Sequence, residues 1–398
     1  MSWFDCMELA PPDPILNLTI DFNNDPRPTK VNLSVGAYRN AEGKPQTLST
    51  VRKAEARIYE KEPSKEYLPI DGLGSMNEAL LRLLFGPHET RINHGEIVAM
   101  QAVGGTGALR ICAELMKNKI TNTIFVSDPT WTNHYGIFQA AGFTVETYPY
   151  YNYEDHSLKF EAMIETLEEL PAKSAILFHA CCHNPTGVDP TPEQWKQICQ
   201  VVKKRELFPI FDCAYQGYGQ GLTQDAFAVR HFAEQGVEFL VTVSCAKNFG
   251  LYAERVGMIG IVANNANAAA KTLSQGKKLI RAMYSNPPLH GAKIISTILN
   301  SDILRGEWKQ EVGNMRDRIQ EMRNSLGSIL IAKTGHDYSY VTREYGMFSF
   351  TGLSESQVAR LREESAIFML KSGRINVAGL NWQNMEYVTD AIARVLRG

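Results

Sequence analysis

Three polar residues each stand directly behind an apolar run: Asn184 after "SAILFHACCH", Asp212 after "LFPIF" and Lys247 after "EFLVTVSCA", spaced 28 and 35 residues apart. Short apolar runs are how parallel strands read, and open α/β sheets gather ligands beyond the carboxyl ends of their strands. Spacings of that size suit successive strand-helix-strand units. A lysine there can form a Schiff base with a carbonyl, and a carboxylate there can hold a proton on a heteroaromatic nitrogen. Tyr215, three residues past Asp212, adds a phenol to the same rim. Taken singly, each has an ordinary structural role: Lys247 snorkelling to solvent, Asn184 making a turn, Asp212 capping a helix, Tyr215 packing.

Upstream, "AVGGTGALRICAELM" places Gly104, Gly105, Thr106 and Gly107 before Leu109, Cys112 and Leu115. A glycine-rich turn opening an apolar-faced helix can bind phosphate, because the first backbone N–H groups are free and the dipole favours an anion, though the pattern alone is a weak signal. It does not satisfy the dinucleotide fingerprint, since Arg110 occupies the last glycine's place, and it lacks the lysine of a P-loop. An amine, a carboxylate, a phenol and a phosphate cradle on one rim together point to pyridoxal phosphate.

The elements that must position these groups follow the same pattern. The chain has 398 residues, 44% hydrophobic and 21% charged, which describes an ordinary globular chain of about two domains. Lys+Arg 41 against Asp+Glu 43 leaves no excess charge to suggest a nucleic-acid partner. No apolar run approaches the ~18 residues of a membrane span. Cys6, Cys112, Cys181, Cys182, Cys199, Cys213 and Cys245 show no CxxC spacing and read as thiols in a reducing compartment. Adjacent cysteines on a strand point to opposite faces, so no metal is expected at Cys181-Cys182-His183.

Prolines in "APPDPIL" and "NDPRP" forbid a long helix near the N-terminus, so an extended arm is expected over 1–14. From 46 to 313 apolar runs alternate with helical patterns, which predicts a mostly parallel sheet in a large cofactor-binding domain. One crossover helix begins at Thr191 as cap with Pro192 in its first turn and Trp195, Ile198, Val201 and Val202 on one face. Residues 15–45 with 314–398 are expected to form a small α+β domain, in which "GMFSFTGL" and "SGRINVAGL" are short strands.

Read in order, "PPDPIL", "VGAYR", "GGTGALR", "DPTWTNH", "HNPTGVDP", "DCAYQGY", "AKNFGLYAERVG", "MYSNPP", "GMFSFTGL" and "GRINVAGL" resemble the aspartate aminotransferase family, dimeric class I pyridoxal-phosphate enzymes of fold type I. The resemblance implies that Lys247 forms the Schiff base and moves the α-proton, that Trp131 stacks on the pyridine face, and that His134 supports Asp212 from behind. It implies that Asn184, Asp212 and Tyr215 hold the ring, and that Gly105, Thr106, Ser244 and Arg255 bind the phosphate with Tyr67 of the partner subunit. Arg374 would clamp the α-carboxylate, with Gly36 and Phe348 lining the substrate side, and Arg281 would cross from the partner to the distal carboxylate. Two planar guanidinium forks at opposite ends of a cleft select dicarboxylic amino acids and keto acids.

The implied reaction is L-aspartate plus 2-oxoglutarate to oxaloacetate plus L-glutamate, ping-pong through pyridoxamine phosphate, in a homodimer with shared sites. Three positions depart from the pattern: Cys245 stands where many relatives carry an aromatic residue, Ala246 where many carry serine, and Lys293 where arginine is usual. Losing a hydroxyl at 246 removes one candidate phosphate contact. The rivals are an oxidoreductase, opposed by the broken glycine fingerprint, an aromatic aminotransferase or β-lyase on the same fold, and a binding protein without chemistry. The chain begins at a methionine with no targeting pattern, which reads as cytoplasmic, with the mitochondrial matrix as the alternative if a presequence is absent from it.

Overall fold

The computed structural model describes residues 2–11, 13, 16–61 and 64–397. Met1, Pro12 and Pro14 of the expected arm, and Ile15 at the start of the expected small domain, lie outside the described residues. In chain order the strands are β1 (Val31–Asn32), β2 (Ile97–Val103), β3 (Thr123–Asp128), β4 (Thr144–Pro149), β5 (Tyr151–Asn152), β6 (Ser157–Leu158), β7 (Ala175–His179), β8 (Phe208–Cys213), β9 (Phe239–Ser244), β10 (Val256–Val262), β11 (Phe348–Phe350), β12 (Ile367–Phe368) and β13 (Arg374–Asn376). Seven of them form one sheet in the order β2-β10-β9-β8-β7-β3-β4. All pairings in it are parallel except those of β10, which runs against both β2 and β9. The expected mostly parallel sheet is present.

The central strands β7, β8, β9 and β10 are apolar runs because helices cover both faces of the sheet and leave no solvent side. The helix Pro192–Lys204 starts as its sequence dictates: the Thr191 hydroxyl accepts from the Gln194 N–H, the Gln194 side chain returns to the Thr191 N–H, and Trp195, Ile198, Val201 and Val202 are buried. Beyond the expected arm, Leu16–Asn24 is a nine-residue helix. Pro26 disfavours helical backbone at the residue before it, which accounts for the early stop.

Reversal of β10 has a consequence for the rim. Its first residues pair Val256 with Val103 and Gly257 with Ser244. The start of β10 therefore lies beside the ends of β2 and β9, and Arg255 joins the edge that carries Gly104 and Ser244. The approach is tight: a Cβ on Gly257 would sit 2.6 Å from the Gly104 carbonyl carbon and 2.7 Å from the Val243 oxygen.

A 33-residue helix, Asp302–Thr334, runs through residue 313, where the character of the sequence changes. Ser301 caps it, and Gly335 ends it with a left-handed φ of 72°. Its buried stripe includes Trp308, Val312, Met315, Ile319, Met322, Leu326 and Leu330. Trp308 stacks on Phe249 with centroids 4.6 Å apart and donates its indole N–H to the Asn248 carbonyl at 2.8 Å, beside Lys247. Beyond it β1 pairs with β12, and β11 pairs antiparallel with β13, setting Phe348 opposite Asn376 and Phe350 opposite Arg374.

Two glycines should respond with opposite signs. Gly257→Ala forces backbone apart at the rim and should destabilise by about 1–3 kcal/mol. Gly306→Ala, on an exposed turn of the long helix where an added Cβ meets nothing within 4 Å, should stabilise by about 0.5–1 kcal/mol. Urea denaturation of both variants beside the parent checks the pair.

Candidate active site

The carboxyl edge of the sheet opens into a cleft of about 270 Å³. Asp212 at the end of β8 projects into it, and Lys247 follows the end of β9. Trp131, from the loop after β3, forms one wall; Tyr215, Asn184 and Ala214 form another; Gly36, Phe348 and Arg374 close the far side. Gly105, Thr106, Ser244 and Arg255 cluster at one end.

Asp212 is 5% exposed, so its charge is held by neighbours rather than water. His134 Nε2 lies 3.2 Å from Oδ2, and the Thr242 hydroxyl donates to Oδ1 at 3.2 Å. Behind it, Thr130 Oγ1 and His134 Nδ1 are 2.8 Å apart, and the Trp131 ring meets His134 edge-on. Burial works to raise the Asp212 carboxyl, but the His134 hydrogen bond and the charges of His134, His179 and Lys247 outweigh it and hold it below its ordinary value. Asp212 is a strand residue and caps no helix.

Burial lowers the Lys247 ammonium; Asp212 opposes that shift and Arg255 reinforces it. Its Nζ lies 5.0 Å from the Tyr215 ring centroid, and its carbonyl accepts from the Tyr218 hydroxyl at 3.1 Å. A desolvated amine with a lowered pKa gives up its proton more readily than a free lysine, which suits a nucleophile and proton acceptor. Burial raises the Tyr215 phenol, so it stays a hydrogen-bond donor.

Arg374 is 3% exposed. One terminal nitrogen donates to the Ser34 carbonyl at 2.6 Å, the other to Asn184 Oδ1 at 3.3 Å, and its guanidinium lies 4.3 Å from the Phe348 centroid. Its Nε has no partner, and burial lowers its pKa to about 10. A planar cation with unused donors facing a cleft is arranged to take a carboxylate. Gly36 is required here, because a Cβ would come within 2.8 Å of the Phe348 ring.

At the other end, the helix Gly104–Met116 points its first N–H groups inward, and Gly104 has φ +69°. A Cβ on Gly105 would lie 3.1 Å from Ser244 Cβ, and one on Gly104 would lie 2.5 Å from the Arg255 guanidinium. Backbone donors, a hydroxyl and a cation converge on one small volume. These groups fit pyridoxal phosphate: amine, carboxylate, aromatic face and anion cradle share one cleft, with the donors left over that such a ligand needs.

Two anticipated residues stand elsewhere. Tyr67 is 83% exposed and Arg281 is exposed, and neither lines this chain's cleft. The segments that carry them meet, since Asn286 donates to the Leu68 carbonyl at 2.8 Å and Arg281 bonds the Ser285 hydroxyl.

Sequence reasoning missed Thr130, Thr242, Ser34 and His179. His179, which lines the cleft at the end of β7, has no partner at either ring nitrogen, and burial holds its pKa down to about 3. Its place at the end of "SAILF" was the signal. Cys181 and Cys182, expected on one strand, lie beyond its end. β7 ends at His179 and Cys182 has φ 52°, so Cys181, Cys182 and Asp225 bring ligand atoms within 4.8 Å of one another. His134, His179 and Asp212 do the same. Asp225 accepts from the backbone N–H groups of Gly217, Gly219, Gln220 and Gly221, and Asp212 is bonded to His134, so the carboxylate of each group is already engaged in hydrogen bonds.

Comparison with known proteins adds the following. The family described as aminotransferase class I and II matches residues 28–392. The aspartate aminotransferase of Pseudomonas aeruginosa is 46% identical over 398 residues, covering 100% of both chains. The mitochondrial aspartate aminotransferase of Gallus gallus is 46% identical, covering 100% of this chain and 95% of its own. The crystal structure of an aromatic-amino-acid aminotransferase from Burkholderia pseudomallei, covalently bound to pyridoxal phosphate, superposes with a TM-score of 0.97 at 46% identity, covering 100% of both.

The lowered pKa of Lys247 makes a stability prediction for the cofactor-free protein. Between that value and about 10.4, the unfolded chain binds a proton at Lys247 that the folded chain does not, so parent stability rises with pH there. Lys247→Met removes the buried ammonium. It should be more stable than the parent at pH 7, and its advantage should shrink as pH rises toward 10. Urea titrations across that range read the difference.

Proposed function

The chain belongs to the class I and II aminotransferases, and from that premise we propose that it exchanges the amino group of L-aspartate with 2-oxoglutarate, yielding oxaloacetate and L-glutamate, with pyridoxal 5'-phosphate as cofactor. The observation that carries this reading is the convergence of Lys247, Asp212 and Arg374 on one cleft. When bound, the cofactor supplies a carbonyl for the amine and an electron sink for the α-carbon.

The chain's own groups do the rest. Asp212, kept ionised by His134 and Thr242, holds a proton on the ring nitrogen. Trp131 would cover one ring face, Asn184 and Tyr215 would hold the ring oxygen, and Gly105, Thr106, Ser244 and Arg255 would take the phosphate. Lys247 Nζ would anchor the cofactor and, once freed, would take the α-proton of the substrate and carry it to the cofactor's carbonyl carbon. Arg374 orients the substrate by its α-carboxylate, with Phe348 and Gly36 shaping the space beside it.

Selection of a dicarboxylate needs a second cation, and the exposed placement of Arg281 and Tyr67 away from this chain's cleft supports a homodimer. In it Arg281 of the partner subunit grips the distal carboxylate and Tyr67 of the partner subunit reaches the phosphate. No helix among the described residues is long and apolar enough to cross a membrane. Six buried, unpaired cysteines support a reducing, cytoplasmic compartment. The name of the Burkholderia neighbour favours a second reading, an aromatic aminotransferase, and the Arg281 end of the cleft separates the two.

Losing a bidentate charge-assisted pair costs about 3–6 kcal/mol. Arg281→Asp should therefore lower kcat/KM for aspartate by about two to four orders of magnitude, at ~1.4 kcal/mol per tenfold, and change alanine far less. Half-reactions with aspartate, alanine and phenylalanine at matched cofactor loading check this. Equal proportional losses for aspartate and alanine would sink the dicarboxylate assignment.

Site sharing has its own test. Hybrids of a Lys247→Ala subunit with an Arg281→Ala subunit should regain one fully equipped site of two. Hybrids no more active on aspartate than the parental dimers would show that the sites are not shared.

A further inference from the structure

Arg323 lies on the buried stripe of the helix Asp302–Thr334, 0% exposed, outside every role assigned above. It donates to Glu344 Oε2 at 2.9 Å, to the carbonyl oxygens of Gly346 at 2.9 Å, Val341 at 3.3 Å and Tyr345 at 3.4 Å, and to that of Phe348. The Ser349 hydroxyl shares Glu344 Oε2. One cation thus gathers four carbonyls of a single segment.

That segment is held from its other side as well. The Tyr345 N–H donates to the Gly187 carbonyl at 2.7 Å, and a Cβ on Gly187 would lie 2.7 Å from the Phe348 oxygen. With its carbonyl fixed between Arg323 and Gly187, Phe348 has little freedom, and its ring rests on the Arg374 guanidinium. Among the described residues Arg374 makes two hydrogen bonds and leaves its Nε unpaired, so the stacked ring adds a constraint on its orientation.

We propose that Arg323 is a positioning residue for substrate binding: by collecting the carbonyls of 341–348 it sets the Phe348 ring, and through that ring the plane of Arg374. The inference rests on the reading that Arg374 takes the α-carboxylate. Stability alone does not require such a pair, since apolar residues of similar volume often replace a buried ion pair without loss. What they do not reproduce is a planar fork of donors reaching several carbonyls at once.

The test uses the cofactor-loaded enzyme and succinate, a dicarboxylate without an amino group, titrated by calorimetry. Arg323→Lys keeps a charge beside Glu344 but reaches fewer carbonyls. It should weaken succinate about tenfold, with kcat at saturating aspartate within about threefold, a loss of orientation rather than of chemistry. Glu344→Gln, which keeps the volume and loosens the fork, should show a loss in the same direction and serves if Arg323→Lys does not fold. A variant with a lower Tm but unchanged succinate affinity overturns the proposal, provided Arg374→Lys in the same assay loses about a hundredfold or more. Parent-like succinate binding by Arg374→Lys would instead remove the α-carboxylate reading on which the proposal stands.

Discussion

A carboxylate almost fully withdrawn from water cannot stay ionised without partners, and Asp212 is such a group. Its partners come from three directions: His134 in the first turn of the helix Asn133–Ala140 and, behind it, Thr130 from the loop after β3; Thr242 from the neighbouring strand β9; and the charge of Lys247 across the cleft. Each partner must be held to a few tenths of an ångström for the arrangement to work. The parallel pairing of β8 with β9 does this for Thr242, which lies opposite Asp212 in register.

The remaining site can be understood as what that anion requires and permits. A buried amine placed near a buried carboxylate has its pKa lowered less than burial alone would lower it, so Lys247 keeps both nucleophilicity and a proton-carrying role. The anion end of the cleft is separated from Asp212 by being built on other strands. Because β10 runs backward, its first residues reach the same rim as the ends of β2 and β9, and Arg255 meets Gly104 there.

The long helix connects this rim to the substrate side. At one end Trp308 supports the loop that carries Lys247, and fifteen residues later Arg323 supports the segment that carries Phe348. At about 1.5 Å rise per residue these supports are roughly 22 Å apart, so a rigid helix couples the anchoring amine to the pocket of Arg374. Those groups therefore share one frame, while Tyr67 and Arg281 stand outside it.

Local pattern alone determined a great deal. Apolar runs bounded by turn residues read as buried strands whatever their direction, so the pattern brings Asp212 to the end of β8 and sets Lys247 and Asn184 in the loops that follow β9 and β7. The cap at Thr191, the turn at Gly104 and Gly105, and the motifs in order that identify the family are likewise chain-local features. What tertiary structure alone decided is which further polar groups meet: Thr242 with Asp212 across 30 residues, Arg374 with Asn184 across 190 and with Ser34 across 340. It also decided that Cys181 and Cys182 face one another's surroundings, because the strand ends two residues before them and the chain turns left-handed at Cys182. Burial of apolar residues follows a period that a sequence displays, whereas a buried polar atom accepts any partner the fold brings within hydrogen-bond reach, and no period records which one it will be.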